Sequence, residues 1–334
     1  RALVLEAAGM KTDAEGAYRA ADAALDLANY SALALGRFLE RERRWDEART
    51  VYDRQVARGR PDPEISAAIA RADRARRRPP AYTPAESAAR ALFPPAALFA
   101  NAAPADHAIL YLRMIQRLDP EFARNTIFLA SILEEAGYQE EALAAYQSLE
   151  GSAFGERAAL EAAWLSFRMG EGEPALDLAR REVERTGDSE AVLLLADLYR
   201  ALGRCEEAIP LYREGETRRA DEDLPPEWRL PFFEGVCWQI LGDWDAAEAR
   251  FLEALTIAPD EPRLLNHVGY NWLVLNKNTD RAVDMIERAV AAEPENGAIV
   301  DSYGWALFKL GRFEEAVTQL ERAVELQPYD PTLN

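Results

Sequence analysis

Apolar and small residues recur along the chain with the period of an amphipathic helix, in pairs of segments joined by short turns. The clearest unit is residues 297–330, where Gly304 lies in a first helix, Gly311 in the turn and Ala316 in a second helix. Apolar positions three and four residues apart give each helix one buried face. The pattern predicts a helical hairpin that ends at Pro328, since proline cannot donate to the helical ladder.

Small side chains within this unit predict a close crossing of its two helices. Gly304 and Ala316 leave room for the backbones to approach, and Leu320 and Phe308 are expected to fill the space between the helices. The glycine recurs one repeat at a time toward the N-terminus, at Gly269 and Gly235. A fixed spacing of this kind is the mark of a repeat array, in which each unit packs on its neighbours.

The unit GAIVDSYGWALFKLGRFEEAVTQLERAVELQP resembles the tetratricopeptide repeat (TPR) at nearly every signature position. The resemblance is specific over residues 189–330, weaker over 89–188 and patchy before that. It implies an all-α fold, a right-handed superhelix of antiparallel helix pairs, with the first helix of each pair on the concave side. It also implies a protein that binds other proteins or peptides.

Three segments are predicted along the chain. Residues 1–62 form a short N-terminal array, 63–88 an irregular helix and linker, and 89–334 the main array. Thr83 and Glu86 resemble a capping box that starts a new helix, and the proline pair at 94–95 is expected to interrupt that helix.

The last array is expected to be truncated, with PTLN at its end opening another unit. A solenoid end exposes an apolar face unless a polar helix caps it, and no capping helix follows Leu326 in the sequence. We therefore expect further repeats or a cap beyond this sequence.

Charge narrows the choice of partner. The chain of 334 residues carries a formal net charge of -19, so we expect no nucleic-acid partner, because nucleic acids are bound through an excess of lysine and arginine. No apolar run is long enough to predict a membrane span. We therefore expect a protein or peptide partner. If the arginines described below contact that partner, we expect it to be acidic or to bear carboxylates.

Nothing in the sequence predicts an enzyme or a cofactor. His107 and His267 lie several repeats apart, and no metal-ligand spacing surrounds either of them. Cys205 and Cys237 lack the spacing of a zinc or redox motif. They are expected on adjacent helices but offset along them, so whether they form a disulfide stays open.

Arginine recurs near the start of successive predicted first helices. Two interpretations remain: a ladder of guanidinium groups that holds the carboxylates of an extended partner, or staples that pair with acidic residues of neighbouring repeats. Aromatic and polar residues one and two turns further along would add contact surface, unless they pack within the solenoid. The arginines are Arg90, Arg124, Arg157, Arg229 and Arg263. The predicted partner-binding residues are Arg157, Trp164, Arg229, Phe232, Arg263, Asn266, Tyr270, Asp301 and Trp305.

The favoured function is a non-enzymatic scaffold that binds an extended partner segment in its concave groove. Two alternatives remain: the repeat arm of a larger enzyme or export machine, and a solenoid that binds saccharide on Trp164, Tyr270 and Trp305. Residues 265–334 resemble exported, repeat-only TPR proteins of Gram-negative bacteria. That resemblance implies a periplasmic location and a role in envelope assembly, with the cytoplasm as the alternative location.

Overall fold

A computed structural model describes residues 1–23, 28–59, 62–74, 78–100 and 104–328. Within these ranges the regular structure consists of nineteen helices, without any strand. The all-α prediction is confirmed. The residues predicted to open another unit, 331–334, lie outside the described ranges.

The chain divides into two compact units, Arg1–Leu178 and Ala179–Asn334. The linker predicted at residues 63–88 is not the boundary between these units, and its role as a linker stays a prediction. The helices of unit 1 are α1 (Ala2–Ala7), α2 (Lys11–Ala23), α3 (Ala28–Arg41), α4 (Trp45–Ala57), α5 (Pro63–Arg74), α6 (Pro84–Ala100), α7 (Ala105–Leu118), α8 (Ala123–Glu135), α9 (Gln139–Gln147) and α10 (Gly155–Arg168).

The unit boundary lies within α11 (Gly172–Thr186), and unit 2 is built from the helices that follow it. They are α12 (Ser189–Ala201), α13 (Cys205–Asp221), α14 (Arg229–Ile240), α15 (Trp244–Ile257), α16 (Pro262–Val274), α17 (Thr279–Ala292), α18 (Gly297–Lys309) and α19 (Phe313–Leu326). Consecutive helices pack as hairpins, namely α12 on α13, α14 on α15, α16 on α17 and α18 on α19.

The predicted glycines lie at the helix crossings of unit 2. A Cβ added to Gly235 would lie 2.7 Å from the Phe251 ring, and one added to Gly304 would lie 2.7 Å from Leu320 Cγ. At Gly269 the nearest atom would be the backbone oxygen of Ala282, at 2.9 Å. The backbones of each pair therefore approach too closely for any larger side chain.

Phe308 does not fill the space between α18 and α19, and that prediction is wrong. Its side chain is 46% exposed and stacks on Trp305, with the ring centres 5.4 Å apart. The sequence period places Phe308 four residues beyond Gly304, about 40° of arc from the crossing point at 3.6 residues per turn. Because Gly304 lets the backbones meet, Leu320 alone covers that point.

The prolines at positions 94 and 95 do not interrupt α6, which runs from Pro84 to Ala100. Pro94 has no N–H to donate to the carbonyl of Arg90, four residues earlier. The hydroxyl of Tyr30, on α3, donates to that carbonyl at 2.5 Å instead. Tertiary contact thus replaces the helical hydrogen bond that the proline removes.

A tyrosine, a glutamate and an arginine recur together in unit 1. In one set, Tyr52 donates to Glu40 at 2.8 Å, and the Arg71 guanidinium binds both oxygens of the same carboxylate. Glu40 belongs to α3 and Arg71 to α5, so each set joins one helix pair to the next first helix. We call these sets Tyr–Glu–Arg relays; the others are Tyr18, Glu6 and Arg41, and Tyr146, Glu134 and Arg168.

Candidate functional site

Seven of the nine predicted partner-binding residues lie on three consecutive first helices of unit 2. They occupy matching positions: six residues before the buried glycine of the helix, three before it, or one after it. At 3.6 residues per turn these positions fall within roughly 60° of arc, on a single side of each helix. We call this surface the first-helix face of unit 2; its members are Arg229 and Phe232 on α14, Arg263, Asn266 and Tyr270 on α16, and Asp301 and Trp305 on α18.

A polar network connects α14 to α16 beneath this face. Gln239 donates to Asn271 Oδ1 at 2.9 Å, and His267 Nε2 lies 3.0 Å from Gln239 Oε1. Because Oε1 can only accept, His267 carries its proton on Nε2 in this network. Burial lowers the pKa of His267 to about 4, so the imidazole is neutral at physiological pH. The network therefore fixes the spacing of α14 and α16 without adding charge.

Aromatic rings form the middle of the face. The Phe232 ring centre lies 5.1 Å from that of His267 and 5.7 Å from that of Phe251, so one edge of Phe232 is held by the core. Phe232 and Trp305 are half-buried, whereas the Tyr270 side chain is 38% exposed. Rings that are partly fixed and partly open can bind a partner with little loss of side-chain entropy.

Two polar atoms on the face have no hydrogen-bond partner among the described residues. One is the acceptor Asn266 Oδ1, on α16, and the other is the donor Trp305 Nε1, on α18. Leaving a buried polar group unpaired costs about 1–3 kcal/mol. Because both atoms are buried, a partner that lies on the surface of the face does not reach them in this conformation.

Some of the arginines predicted to form a ladder are staples between repeats, and others are exposed. Arg90 pairs with buried Asp119, and Arg124 pairs with Asp62 at 2.8 Å and Glu64 at 2.6 Å. Both side chains are largely buried, so these two arginines are structural staples. In unit 2, Arg263 is exposed and forms no ion pair with the residues that the structure describes.

Arg229 and Arg157 keep most of their side chains exposed. Arg229 is 58% exposed and pairs at 2.8 Å with Glu227, two residues earlier in the sequence. Arg157 is 66% exposed and lies 3.9 Å from Glu161 on its own helix. Such exposed pairs are weak and are readily exchanged for a partner's carboxylate.

Arg157 and Trp164 belong to α10 in unit 1, apart from the seven residues on the face of unit 2. Trp164 is half-buried and meets Phe167 edge to face at 5.8 Å. The structure does not join these two residues to the face of unit 2, and their role in binding stays a prediction.

Sequence reasoning missed Gln239 as a partner of the NHVGYN segment. Gln239 lies on the preceding first helix, 28 residues before His267. The repeat spacing could have placed it beside α16, but no pattern identifies which side chain turns inward. Amide side chains at this position point either to solvent or to a neighbour with equal ease.

The two cysteines are free thiols and not a disulfide. Cys205 and Cys237 are both buried, on the packed helices α13 and α14. Burial, together with the neighbouring Cys205, raises the pKa of the Cys237 thiol well above its usual range. At neutral pH the Cys237 thiol is therefore protonated and a poor nucleophile.

In the described part of the chain, no helix is both long and apolar enough to cross a membrane. Within the same residues, no group of three or more His, Cys, Asp or Glu side chains is placed to hold a metal ion.

The geometry defines a class of protein: an array of helical hairpins whose first helices carry a continuous face. The family is shown by sequence. A tetratricopeptide repeat model matches residues 160–225, 193–262 and 275–331, and a second model of the same description matches 31–64. Together these matches cover more than half of the chain. The chain belongs to the tetratricopeptide repeat family, whose members are generally non-catalytic scaffolds for protein–protein interaction.

Individual relatives match only in part. The small glutamine-rich tetratricopeptide repeat-containing protein 2 of Mycosarcoma maydis is 28% identical over 34% of this chain and 32% of its own length. The BBSome complex member BBS4 of Bos taurus is 26% identical over 39% of this chain and 23% of its own. The matches thus span about a third and about a quarter of these relatives.

Two solved structures share the fold. A tetratricopeptide repeat protein from Parabacteroides merdae aligns with a TM-score of 0.55 and 19% identity, over 73% of this chain and 95% of its own. PilW, described as a widely conserved type IV pilus biogenesis factor, aligns with a TM-score of 0.52 and 16% identity, over 64% of this chain and 97% of its own. At these identities the likeness concerns the fold alone.

Proposed function

We propose that the protein is a scaffold that binds an extended segment of a partner protein across the first-helix face of unit 2. The observation that carries this proposal is the row of matching positions on α14, α16 and α18, which presents exposed and half-buried side chains on one side of each first helix. The exposed ring of Tyr270 and the half-buried rings of Phe232 and Trp305 offer apolar contact. Aromatic residues dominate the affinity of many protein interfaces.

Peptide selection tests this function. A displayed library of random peptides is selected on the full chain, and the affinity of the enriched peptides is measured by calorimetry. Trp305→Ala should weaken binding by about tenfold or more, as expected for an aromatic anchor at the centre of an interface.

Gln319→Ala provides the matched control for this variant. Gln319 is partly exposed on α19, the second helix of the same hairpin as Trp305. This change should leave peptide binding as it is. The proposal fails if no peptide is enriched, or if Trp305→Ala and Gln319→Ala bind alike. Tight binding on a glycan array that Trp305→Ala abolishes would favour the saccharide alternative.

We propose that the partner segment is acidic where it crosses the N-terminal ends of α14 and α16. Arg229 and Arg263 are exposed there, and the overall charge of the chain is -19, so a local cationic row is a specific feature. Changing both residues to Glu should lower the affinity for acidic peptides by about tenfold or more, since repulsion replaces attraction. Uncharged peptides from the same selection serve as the control ligands, and an equal loss for both kinds of peptide would contradict an acidic partner.

A location in the periplasm and a role in envelope assembly form the last part of the proposal. Their support is the resemblance of residues 265–334 to exported, repeat-only TPR proteins. Fractionation of the native cell, followed by detection with an antibody, tests the location. Recovery with a cytoplasmic marker would overturn it and leave the binding function of unit 2 in place.

A further inference from the structure

A segment of the chain itself lies on the first helices of unit 1. Residues 78–83 connect α5 to α6 and have no regular structure; they include the sequence PPAYTP, which continues into α6. We call residues 78–90 the strap. The strap and the rest of α6 contact α1 and α3, which are the first helices of the first two hairpins.

Tyr82 is the strap side chain that packs among arginines of α3 and α6. Arg37 donates to the Tyr82 hydroxyl at 2.7 Å. The guanidinium carbons of Arg37, Arg41 and Arg90 lie 5.8, 5.3 and 4.1 Å from the centre of the tyrosine ring. Cations at these distances are attracted by the face of an aromatic ring. Three arginines from two helices therefore surround one tyrosine.

The arginines around Tyr82 form a site that suits an aromatic ring. Arg41 is only 4% exposed, and its Nη1 has no hydrogen-bond partner within the described ranges. A buried cationic donor without a hydrogen bond is costly, and the electron-rich ring of Tyr82 offsets part of that cost. The other donors of Arg41 are held by Glu6 in a relay, so the guanidinium keeps its position whether or not a ring is bound.

The part of the strap that follows Tyr82 is anchored independently of that tyrosine. Thr83 and Glu86 form the reciprocal hydrogen bonds of a capping box, as the sequence predicted, at 2.6 and 3.2 Å. Further along, Tyr30 binds the Arg90 carbonyl and Arg90 pairs with Asp119. Release of Tyr82 alone therefore requires movement of only the few residues before α6.

A cavity of about 340 Å³ lies beside Tyr82, within the range of small-ligand pockets. Its walls include Arg37 of α3, Ala67 and Arg71 of α5, and Phe122 near the start of α8. Arg37 forms no ion pair with the described residues, so its remaining N–H groups can donate to the oxygens of a ligand in this space. The site is thus larger than the side chain it holds.

We propose that this surface is a binding site for a tyrosine in an extended, proline-flanked segment, and that the strap occupies it in cis. Prolines on both sides of Tyr82 hold the segment near the extended polyproline conformation, which lowers the entropy lost on binding. A partner that carries such a segment binds unit 1 by displacing Tyr82. Because the tether gives the strap a local concentration in the millimolar range, a free peptide competes poorly with it.

A peptide in trans tests the proposal on the full chain. The probe is a fluorescently labelled peptide with the sequence of residues 79–86, PPAYTPAE, and its binding is followed by anisotropy. Tyr82→Ala should bind the probe at least about tenfold more tightly than the unchanged chain, because the competing ring is gone. A probe with Phe in place of Tyr should bind Tyr82→Ala less tightly, since it lacks the hydroxyl that Arg37 recognises. A probe with Ala at that position should not bind.

Two further variants control the result. Adding Arg37→Met to Tyr82→Ala should abolish the gain, whereas adding Arg113→Met, an exposed arginine of the same unit, should not. If Tyr82→Ala loses its helical circular dichroism, Tyr82→Phe replaces it; that variant keeps the ring, loses the Arg37 bond and should show a smaller gain. Equal binding of the probe to the variant and the unchanged chain, or equal binding of the Tyr and Ala probes, overturns the proposal.

Discussion

Gly304→Leu should lower the free energy of unfolding by about 3 kcal/mol, because overpacking at a close helix contact forces both helices to shift. The Cβ of the new side chain would lie 2.7 Å from Leu320 Cγ and 3.3 Å from the backbone nitrogen of Leu320. A side chain can rotate away, but the backbone of α19 cannot. The gain in helix propensity from replacing glycine, up to about 1 kcal/mol, does not offset this. Urea denaturation followed by circular dichroism measures the change.

Gly16→Leu is the matched control for this prediction. Gly16 also lies inside a helix, α2, but a Cβ added there meets nothing within 4 Å. The same substitution should therefore be neutral or slightly stabilising, through helix propensity alone. Equal destabilisation by both variants would show that Gly304 is not a crossing point, and the repeat register would then be wrong.

Glu40→Ala should destabilise unit 1 by about 3 kcal/mol, the cost of removing one partner of a buried ion pair. Glu40 is fully buried, accepts from Tyr52 and binds Arg71 through both oxygens. Its loss leaves the Arg71 guanidinium, 28% exposed, without a carboxylate and the Tyr52 hydroxyl without an acceptor. Thermal unfolding of the full chain, compared with the unchanged protein, gives the measurement.

Glu47→Ala distinguishes a buried pair from a surface pair. Glu47 binds Arg44 with the same two-oxygen geometry but is 51% exposed. Solvent screens such a pair, so its removal should leave the unfolding transition almost unchanged. If the two variants unfold alike, the buried relay stabilises the fold no more than the surface pair does.

The repeat register was predictable because it rests on steric exclusion. Only glycine fits at positions 235, 269 and 304, so those residues fix which helices cross and where. The failures at Phe308 and at the prolines of α6 have different causes. Phe308 lies about 40° of arc from the crossing point and stacks on Trp305 of its own helix, which the helical period could have shown. At the prolines a tertiary contact decided the outcome, because Tyr30 of α3 donates to the carbonyl that Pro94 leaves free, and a local pattern does not contain that contact.

The sequence predicted where the first-helix face of unit 2 lies, but not the hydrogen bonds and ion pairs of the predicted side chains. Periodicity placed Asn266 and Trp305 on the same side of successive first helices. It gave no sign that their polar atoms are unpaired, nor that Arg90 and Arg124 meet buried acids. Charge pairing across repeats depends on side-chain direction, which is set by packing. For the same reason the strap, read from sequence as a linker, was not recognised as an occupant of unit 1.

The Tyr–Glu–Arg relays determine where this chain can be cut into fragments. A cut after α4 falls between two hairpins and breaks no helix, so it looks harmless by backbone criteria. It would nevertheless separate Glu40 from Arg71 and leave a carboxylate beneath Tyr52 with no counter-ion. Each hairpin of unit 1 that bears a relay thus relies on the next one to neutralise it. A shortened chain should therefore also lose the hairpin whose relay glutamate has lost its arginine, or carry glutamine in place of that glutamate.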